Sequence, residues 1–553
     1  MKNKFLLCPR TVAVAVMALF LAACGGSSQN DAANAASKSS DSTPSSGSDT
    51  PSGSTPSPDS TPSSDSTPSQ QALTLSSASY AIPVTGTPYD WSKQNVSSLA
   101  ASGDNYYYRY GVPPEMVLRE VPGGGYAIAW TDSSSSSIKV TKVDSTFANL
   151  SSDVFSVAPG VLAPHMYTRS DFDACKGPTV NGLTDTRCDN LAGFEVLGAN
   201  SYYLSYSDYS NRWGAAASGA NYATTGGQLV VKKNDGATVF QDAMTDPSSG
   251  VADLPLTTSG TLVSPLRMST MRMVYDGRYI AYFLGLESYL SGNYHQGGFI
   301  RYIQDGGAPS LVASRTAGYA SDGWLASHDF DQRIARIDRT KPGAGFVMAG
   351  LGDAYPRSVF AYDARTGTRI NVLPIPGNTG ENRTYTLLGG LAVQNGNTVA
   401  LGFSSKYVSN TASDNSANEL NVAVALVSLS DFPAIAKLQG SNSGDVSKIK
   451  YVHLTKLNTG TLAVDPKLAA LGNDKFLVAW REVGSSATNT ANAVAKYAVI
   501  DVNGNVLIPP TVMPTGFQFH RSDDFITASD GNVYWAVGGG IDKLVVNALK
   551  LPQ

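Results

Sequence analysis

Three short stretches of this chain crowd imidazole, carboxylate and guanidinium groups together: Arg169-Ser-Asp-Phe-Asp173, His328-Asp-Phe-Asp331 and Arg521-Ser-Asp-Asp-Phe525. Gln332 and Arg333 follow the second stretch directly, and His520 precedes the third. Such groups, gathered at one place, bind a polar ligand or act as acid and base. His328, Asp329, Asp331, Arg333, His520 and Arg521 are therefore the candidate ligand contacts, with Arg333 and His328 foremost. The recurrence also has a plainer explanation. In a repeated loop an Asp caps backbone N–H groups while the neighbouring Phe packs between units. A packing device recurs from repeat to repeat and catalytic residues need not, so structure is expected to come first here. No catalytic residue is assigned. No H-E-x-x-H, G-x-S-x-G or Walker loop stands in its required context, and neither a metal nor a cofactor is expected.

The four cysteines divide by position. Cys24 closes Leu21-Ala22-Ala23-Cys24, behind Lys2, Lys4, Arg10 and thirteen uncharged residues from Thr11 to Ala23. That is the layout of a secretory signal, and its apolar run is too short to span a bilayer as a helix. The ending resembles the bacterial lipobox, whose cysteine thiol is diacylated and becomes the mature N-terminus. The resemblance implies removal of residues 1–23, lipid on Cys24 and attachment to a membrane. Gly25 stands where lipoproteins kept in the inner membrane typically carry Asp, which implies the outer membrane, on its periplasmic or its surface side. Cys8 leaves with the signal. Cys175 and Cys188 lie in a stretch rich in Gly, Asp, Asn and Thr, and in an exported protein they read as one disulfide. A metal site would need further ligands, and neither Cys nor His lies between them.

Residues 24–71 form the next segment. From residue 39 to 69 every position is Ser, Thr, Pro, Gly or Asp. Such a stretch has nothing apolar to bury and stays extended, a leash between lipid and body. The body, residues 72–553, carries a net charge of −3, which argues against a nucleic-acid partner. No later run approaches eighteen consecutive apolar residues, so nothing else is expected to span a membrane.

Short β-rich runs between Gly, Asn, Asp and Ser clusters dominate the body. Seven of them align: Gly125-Tyr-Ala-Ile-Ala-Trp130, Asn200-Ser-Tyr-Tyr-Leu-Ser-Tyr206, Asp276-Gly-Arg-Tyr-Ile-Ala-Tyr-Phe283, Gly345-Phe-Val-Met-Ala-Gly350, Gly396-Asn-Thr-Val-Ala-Leu-Gly-Phe403, Asn473-Asp-Lys-Phe-Leu-Val-Ala-Trp480 and Asp530-Gly-Asn-Val-Tyr-Trp-Ala-Val537. Another strand precedes most of them. A third ends in an Asp-led turn at Asp144, Asp235, Asp305, Asp363, Asp431 and Asp501, because Asp, Asn and Gly suit such turns. Four antiparallel strands repeated seven times resemble a seven-bladed β-propeller. The fold class expected is thus all-β, a seven-bladed β-propeller closed by an N-terminal strand. The last repeat stops soon after its third strand at residues 543–546, and residues 73–84 are the strand expected to complete it. In this frame His165, His328, His453 and His520 fall on the crossovers between blades, all on one face. Two stacked β-sandwiches would account for the strand content but not for seven aligned units.

Lipid anchor, leash and repeated body together resemble bacterial β-propeller lipoproteins of the outer membrane. The function this implies is a non-enzymatic binding or scaffold module for a protein or glycan partner at the cell envelope. The alternative is a polysaccharide-acting hydrolase or lyase that uses the His/Asp/Arg face. An enzyme should cluster His328, Asp331 and Arg333 with a second carboxylate around an open pocket. A scaffold should hold the same groups paired and buried.

Overall fold

A computed structural model of the protein describes residues 75–88 and most of 116–550. Residues 1–74, 89–115, 157–160, 163–175, 209–227, 243–261, 305–322, 376–385 and 408–419, with several short stretches, lie outside the described residues. So do Cys24, the 24–71 segment, Cys175, His165, His328 and His520, while Asp329 and Cys188 are described by their backbone alone. The described residues belong to the unit that spans 70–553. Among them no helix is long and apolar enough to cross a membrane.

The chain is nearly all β. Among the described residues, seven antiparallel sheets follow one another along the sequence, beside one two-stranded ribbon. Sheet 1 is Met116–Glu120, Tyr126–Asp132, Ser137–Val143 and Asn149–Ser156 in that order. Sheet 2 is Cys188–Gly198, Ser201–Asp208, Gln228–Lys233 and Thr238–Asp242, with Val161–Leu162 added in parallel. Sheet 3 has Arg272–Tyr275, Tyr279–Leu290, Asn293–Gln304 and Gly323–Ser327, and Leu262–Pro265 also pairs with its long second strand. Sheet 4 comprises Asp329–Arg336, Phe346–Gly352, Ser358–Asp363 and Thr368–Pro374. Sheet 5 comprises Thr386–Gln394, Thr398–Ser405, Asn421–Ser428 and Lys450–His453. Thr461–Ala470, Lys475–Gly484, Val494–Asp501 and Val506–Val512 make sheet 6. Sheet 7 joins Ile526–Thr527, Val533–Gly538 and Lys543–Lys550 to Ser76–Pro83 from the start of the body. That last pairing is unbroken over eight positions, from Ser76 opposite Lys550 to Pro83 opposite Lys543.

The second strands show why the seven runs look alike. Tyr126–Asp132 and Phe346–Gly352 are buried at every position. A strand covered on both faces needs apolar side chains on both. Size, however, alternates. In sheet 1 the large residues Tyr126, Ile128 and Trp130 pack with Tyr534 and Leu544 of sheet 7. Its small ones, Ala127 and Ala129, admit Phe194, Tyr202 and Leu204 of sheet 2. Sheet 6 repeats the rule: Phe476, Val478 and Trp480 face sheet 5, and Leu477 and Ala479 face Trp535 of sheet 7. Phe346 and Met348 of sheet 4 likewise face sheet 3, and Ala349 faces sheet 5. In sheets 1, 4 and 6 the aromatic residues thus face the preceding sheet, which lets these sheets interlock at interior density, whereas sheet 3 turns Tyr279 and Phe283 toward sheet 4.

The Asp-led turns work as their chemistry predicts. Asp144 accepts the N–H groups of Thr146 (2.8 Å) and Ala148 (3.0 Å), Asp235 that of Ala237 (2.9 Å), Asp363 that of Arg365 (2.9 Å) and Asp501 that of Asn505 (2.7 Å). Asp431 departs from the pattern. It ends a 3-10 turn, Leu429–Asp431, that leads into helix α1, Phe432–Gln439. The helix buries Phe432 and Ile435 in the core between sheets 4 and 5.

Candidate functional site

The first strand of each sheet sets the site. In sheets 4, 5 and 6 these strands carry a register shift: Phe330/Arg333, Leu388/Gly390 and Val464/Lys467. The bulge holds an Asp with positive φ in two cases, Asp331 at 53° and Asp465 at 54°. Asp tolerates that left-handed backbone better than most residues. In the third case the position falls to Gly389 and Gly390, because sheet 6 presses against them. A Cβ on Gly389 would lie 1.8 Å from the Pro466 carbonyl oxygen, and one on Gly390 2.4 Å from Leu468 Cβ. A bulge re-aims the residues that follow it, here Arg333 and Lys467.

The described carboxylates near these bulges are engaged. Arg521 Nη2 donates to both oxygens of Asp331 at 3.0 Å, and Asp331 Oδ2 also accepts the Leu388 N–H of sheet 5 at 3.1 Å. Both side chains are buried. Asp465 pairs with Arg481, each fully buried, and Arg481 lies over the Phe519 ring. Asp523 accepts the Met116 N–H at 3.4 Å, joining sheet 7 to sheet 1 as Asp331 joins sheet 4 to sheet 5. Asp524 meets Arg272 Nε at 2.7 Å and lies 3.9 Å from Arg333 Nε. Phe525, next to this acidic pair, stacks on Trp535 with ring centroids 4.3 Å apart and fills the core between sheets 6 and 7.

Below this tier lies a cavity of about 660 Å³, lined by residues from the first strand of every one of the seven sheets. Its charged walls are Arg119, Glu120, Glu195, Arg333, Arg336, Arg339 and Asp524. It reaches the turns between first and second strands, Gly123, Gly124, Thr340 and Ser529 among them. Arg119 Nε donates to Glu195 at 2.9 Å, while Glu120 accepts the Ser529 N–H at 2.9 Å. Burial raises the Glu195 carboxyl, against the opposing pull of Arg119. Burial acts the same way on Asp524, but Arg272, Arg333, Lys467 and Arg119 outweigh it and hold that carboxyl below the ordinary range. Burial and then Arg272 lower the Arg333 guanidinium to about 10, so it stays charged at neutral pH.

The six candidates from the sequence separate here. Asp331 and Arg521 are brought together as a buried pair, and Arg333 forms part of the cavity wall. Of Asp329 only the backbone is described, at the start of its strand, and His328 and His520 lie outside the described residues. His453 is the exposed final residue of a fourth strand rather than part of a crossover. Arg119, Glu195, Arg272, Arg336 and Lys467 were not singled out from the sequence. Each is a charge set within a strand that is otherwise largely apolar or mixed, and that was the available signal, since charges are rarely buried unpaired. Among the described residues no group of His, Cys, Asp and Glu is assembled to hold a metal ion.

Lys467 gives this region a pH signature. Its Nζ donates to the carbonyl oxygens of Arg521 and Asp523, both at 2.5 Å. Burial, with Arg333 nearby, brings its ammonium from 10.5 down to about 7. Between pH 7 and 10 the unfolded chain therefore holds a proton that the folded protein has shed, so stability is expected to rise with pH across that window. Urea unfolding from pH 6.5 to 9.5 should show the rise in the wild type and a flatter profile in Lys467→Met. An unchanged slope in the variant assigns the rise elsewhere.

No protein family matches the sequence, and no curated protein matches it. Several solved structures align with this chain at low similarity. A member of the DUF4221 family from Bacteroides vulgatus aligns over 88% of this chain and 99% of its own, at 9% identity and a TM-score of 0.36. Puromycin hydrolase aligns over 83% of this chain and 56% of its own, at 12% identity and a TM-score of 0.35. Prolyl oligopeptidase B from Galerina marginata aligns over 76% and 46%, at 9% identity and a TM-score of 0.31. This chain thus spans about half the length of the latter two. Likeness at this level carries no argument about what this chain does.

Proposed function

We propose that this chain is an envelope binding module: a seven-bladed β-propeller, closed by Ser76–Pro83, whose central channel holds a ligand and whose N-terminus is lipid-anchored at Cys24. One observation carries the reading, the cavity bounded by the first strands of all seven sheets. Sheet 1 packs its large residues on sheet 7 just as sheets 4 and 6 pack theirs on their predecessors, which supports a closed ring. The wall carries four arginines, and its carboxylates are engaged: Glu195 by Arg119, Asp524 by Arg272 and Glu120 by Ser529. Asp331 is committed to Arg521 and to the Leu388 N–H, so it is not free as an acid or base. This favours holding a ligand over cutting one. The lipobox resemblance and the 24–71 leash support attachment at the outer membrane. Cys175 and Cys188 would staple their loop as a disulfide.

Retention of envelope polysaccharides on the immobilised protein tests the binding reading. Bound material should elute intact. New reducing ends or unsaturated uronates in the eluate would overturn it in favour of a hydrolase or lyase. Mass spectrometry of the mature N-terminus tests the anchor, with diacylated Cys24 the expected species. An unmodified Cys24, or cleavage elsewhere, removes the anchor from the proposal.

A further inference from the structure

Arg333 is an arginine without enough acceptors. Its side chain is 2% exposed, and among the described residues its only hydrogen bond runs from Nη1 to the Gln332 carbonyl oxygen at 2.9 Å, with no partner for Nε and Nη2. The nearest carboxylate, Asp524, is 3.9 Å from Nε and is already engaged by Arg272 at 2.7 Å. Three residues further along the same strand, Arg336 also lines the cavity with a buried Nε that has no partner. Its Nη2 makes only two bonds to carbonyl oxygens, at 3.1 and 3.5 Å.

A buried donor left unmet is costly, and more so when the group is charged. A cationic wall with spare guanidinium hydrogens thus has a standing demand for an acceptor. Guanidinium hydrogens form a planar fork that matches the two oxygens of a carboxylate or phosphate. The surroundings favour negative charge as well. The cavity walls hold Arg119, Arg333, Arg336 and Arg339 against Glu120, Glu195 and Asp524, and Arg272 and Lys467 stand behind Asp524. A volume of about 660 Å³ is that of a small-molecule site.

We infer that the cavity binds a small organic oxyanion, a carboxylate or phosphate carried on a sugar-sized molecule, seated between Arg333 and Arg336. The inference rests on the cavity being a ligand site, as proposed above, and adds the chemistry of what enters it. The occupant's neutral part lies against the apolar wall around Val196, Val274 and Leu391. Its anion replaces the acceptors that the protein does not supply.

Calorimetric titration of the purified full chain tests this with four probes: a glucuronate disaccharide, glucose 6-phosphate, the matching neutral disaccharide and inorganic phosphate. At least one of the first two should bind, at least about tenfold more tightly than the neutral sugar, with affinity falling as salt rises. Carboxylate alone would make the ligand an acidic sugar, and the phosphate ester alone a sugar phosphate. Inorganic phosphate binding as tightly as either would remove the organic part from the inference. Arg336→Gln should cost about tenfold in affinity, as should Arg333→Met if it folds. Unchanged binding in both variants would overturn the inference. Neutral sugar bound as tightly as its charged counterpart would also overturn it, while leaving the binding module standing.

Discussion

Deleting residues 72–84 is expected to damage the whole body, including sheets hundreds of residues away. Ser76–Pro83 covers the edge of Lys543–Lys550 along its full length, and Ile82 and Val84 are buried with Met116, Leu118 and Trp130 of sheet 1. The segment that follows is stitched to both sheets. The Gly86 N–H donates to Asp542 at 2.7 Å, the Thr87 N–H to Asp132 at 2.8 Å, and Lys139 Nζ to the Thr85 carbonyl oxygen at 2.6 Å. Burial alone would raise the Asp132 carboxyl, but bonds from Lys139, Ser134, Ser135 and Thr87 hold it well below the ordinary range. Without the strand, sheet 7 has an open edge and sheet 1 exposes an apolar face. Aggregation, or loss of all sheets in one early transition, is the expected result, whereas deleting residues 39–69 should leave the unfolding midpoint unchanged. Ile82→Ala keeps the test readable if the deletion aggregates, with an expected cost of about 2–5 kcal/mol. Two separate transitions after the deletion, with damage confined to the N-terminal sheets, would point to independent domains instead.

The second strands were legible in the sequence because each is buried on both faces, which forces an aromatic-and-small composition that recurs from sheet to sheet. Gly and Asp marked the turns for an equally local reason, since Asp144, Asp235, Asp363 and Asp501 bond backbone two to four residues ahead. First strands were harder. Their apolar alternation is visible only from Arg333 and Lys467 onward, whereas they run from Asp329 and Thr461. The bulges at Asp331 and Asp465 break the period of two on which a strand is recognised. The final strand was also cut short, because Asn547 interrupts its apolar run although it is buried there.

The site was less legible than the fold, and distance along the chain explains why. Arg521 was noticed for its neighbours in sequence, but its partner Asp331 is 190 positions away. Arg119 and Glu195, from sheets 1 and 2, meet only because their first strands converge on the same cavity. Sequence spacing carries no trace of that convergence. The recurring Asp-Phe signature was read as a packing device first, and Asp523, Asp331 and Phe525 do bridge adjacent sheets. Arg333 escapes that explanation because its ion pair with Asp524 is long, at 3.9 Å, and Nε and Nη2 are left with unmet hydrogens.

The Asp331–Arg521 pair is where a single substitution should cost most. Asp331→Ala removes the carboxylate that neutralises Arg521, the acceptor of the Leu388 N–H, and a side chain suited to a φ of 53°. Stranding one member of a buried pair costs about 3–5 kcal/mol. Asp331→Asn separates these contributions. It tolerates the left-handed backbone and still offers Leu388 an oxygen, so it loses the charge and one of the two acceptors facing Arg521. The expected order of urea midpoints is wild type, then Asn, then Ala. Adding Arg521→Met to the Asn variant should recover part of the loss, because no charge is then buried alone. The same double variant should leave Arg336 and its binding contribution intact, since Asp331 and Arg521 do not line the cavity. A wild-type midpoint in Asp331→Asn would mean that Arg521 finds its counter-charge elsewhere, and the packing role given to the repeated Asp would fall with it.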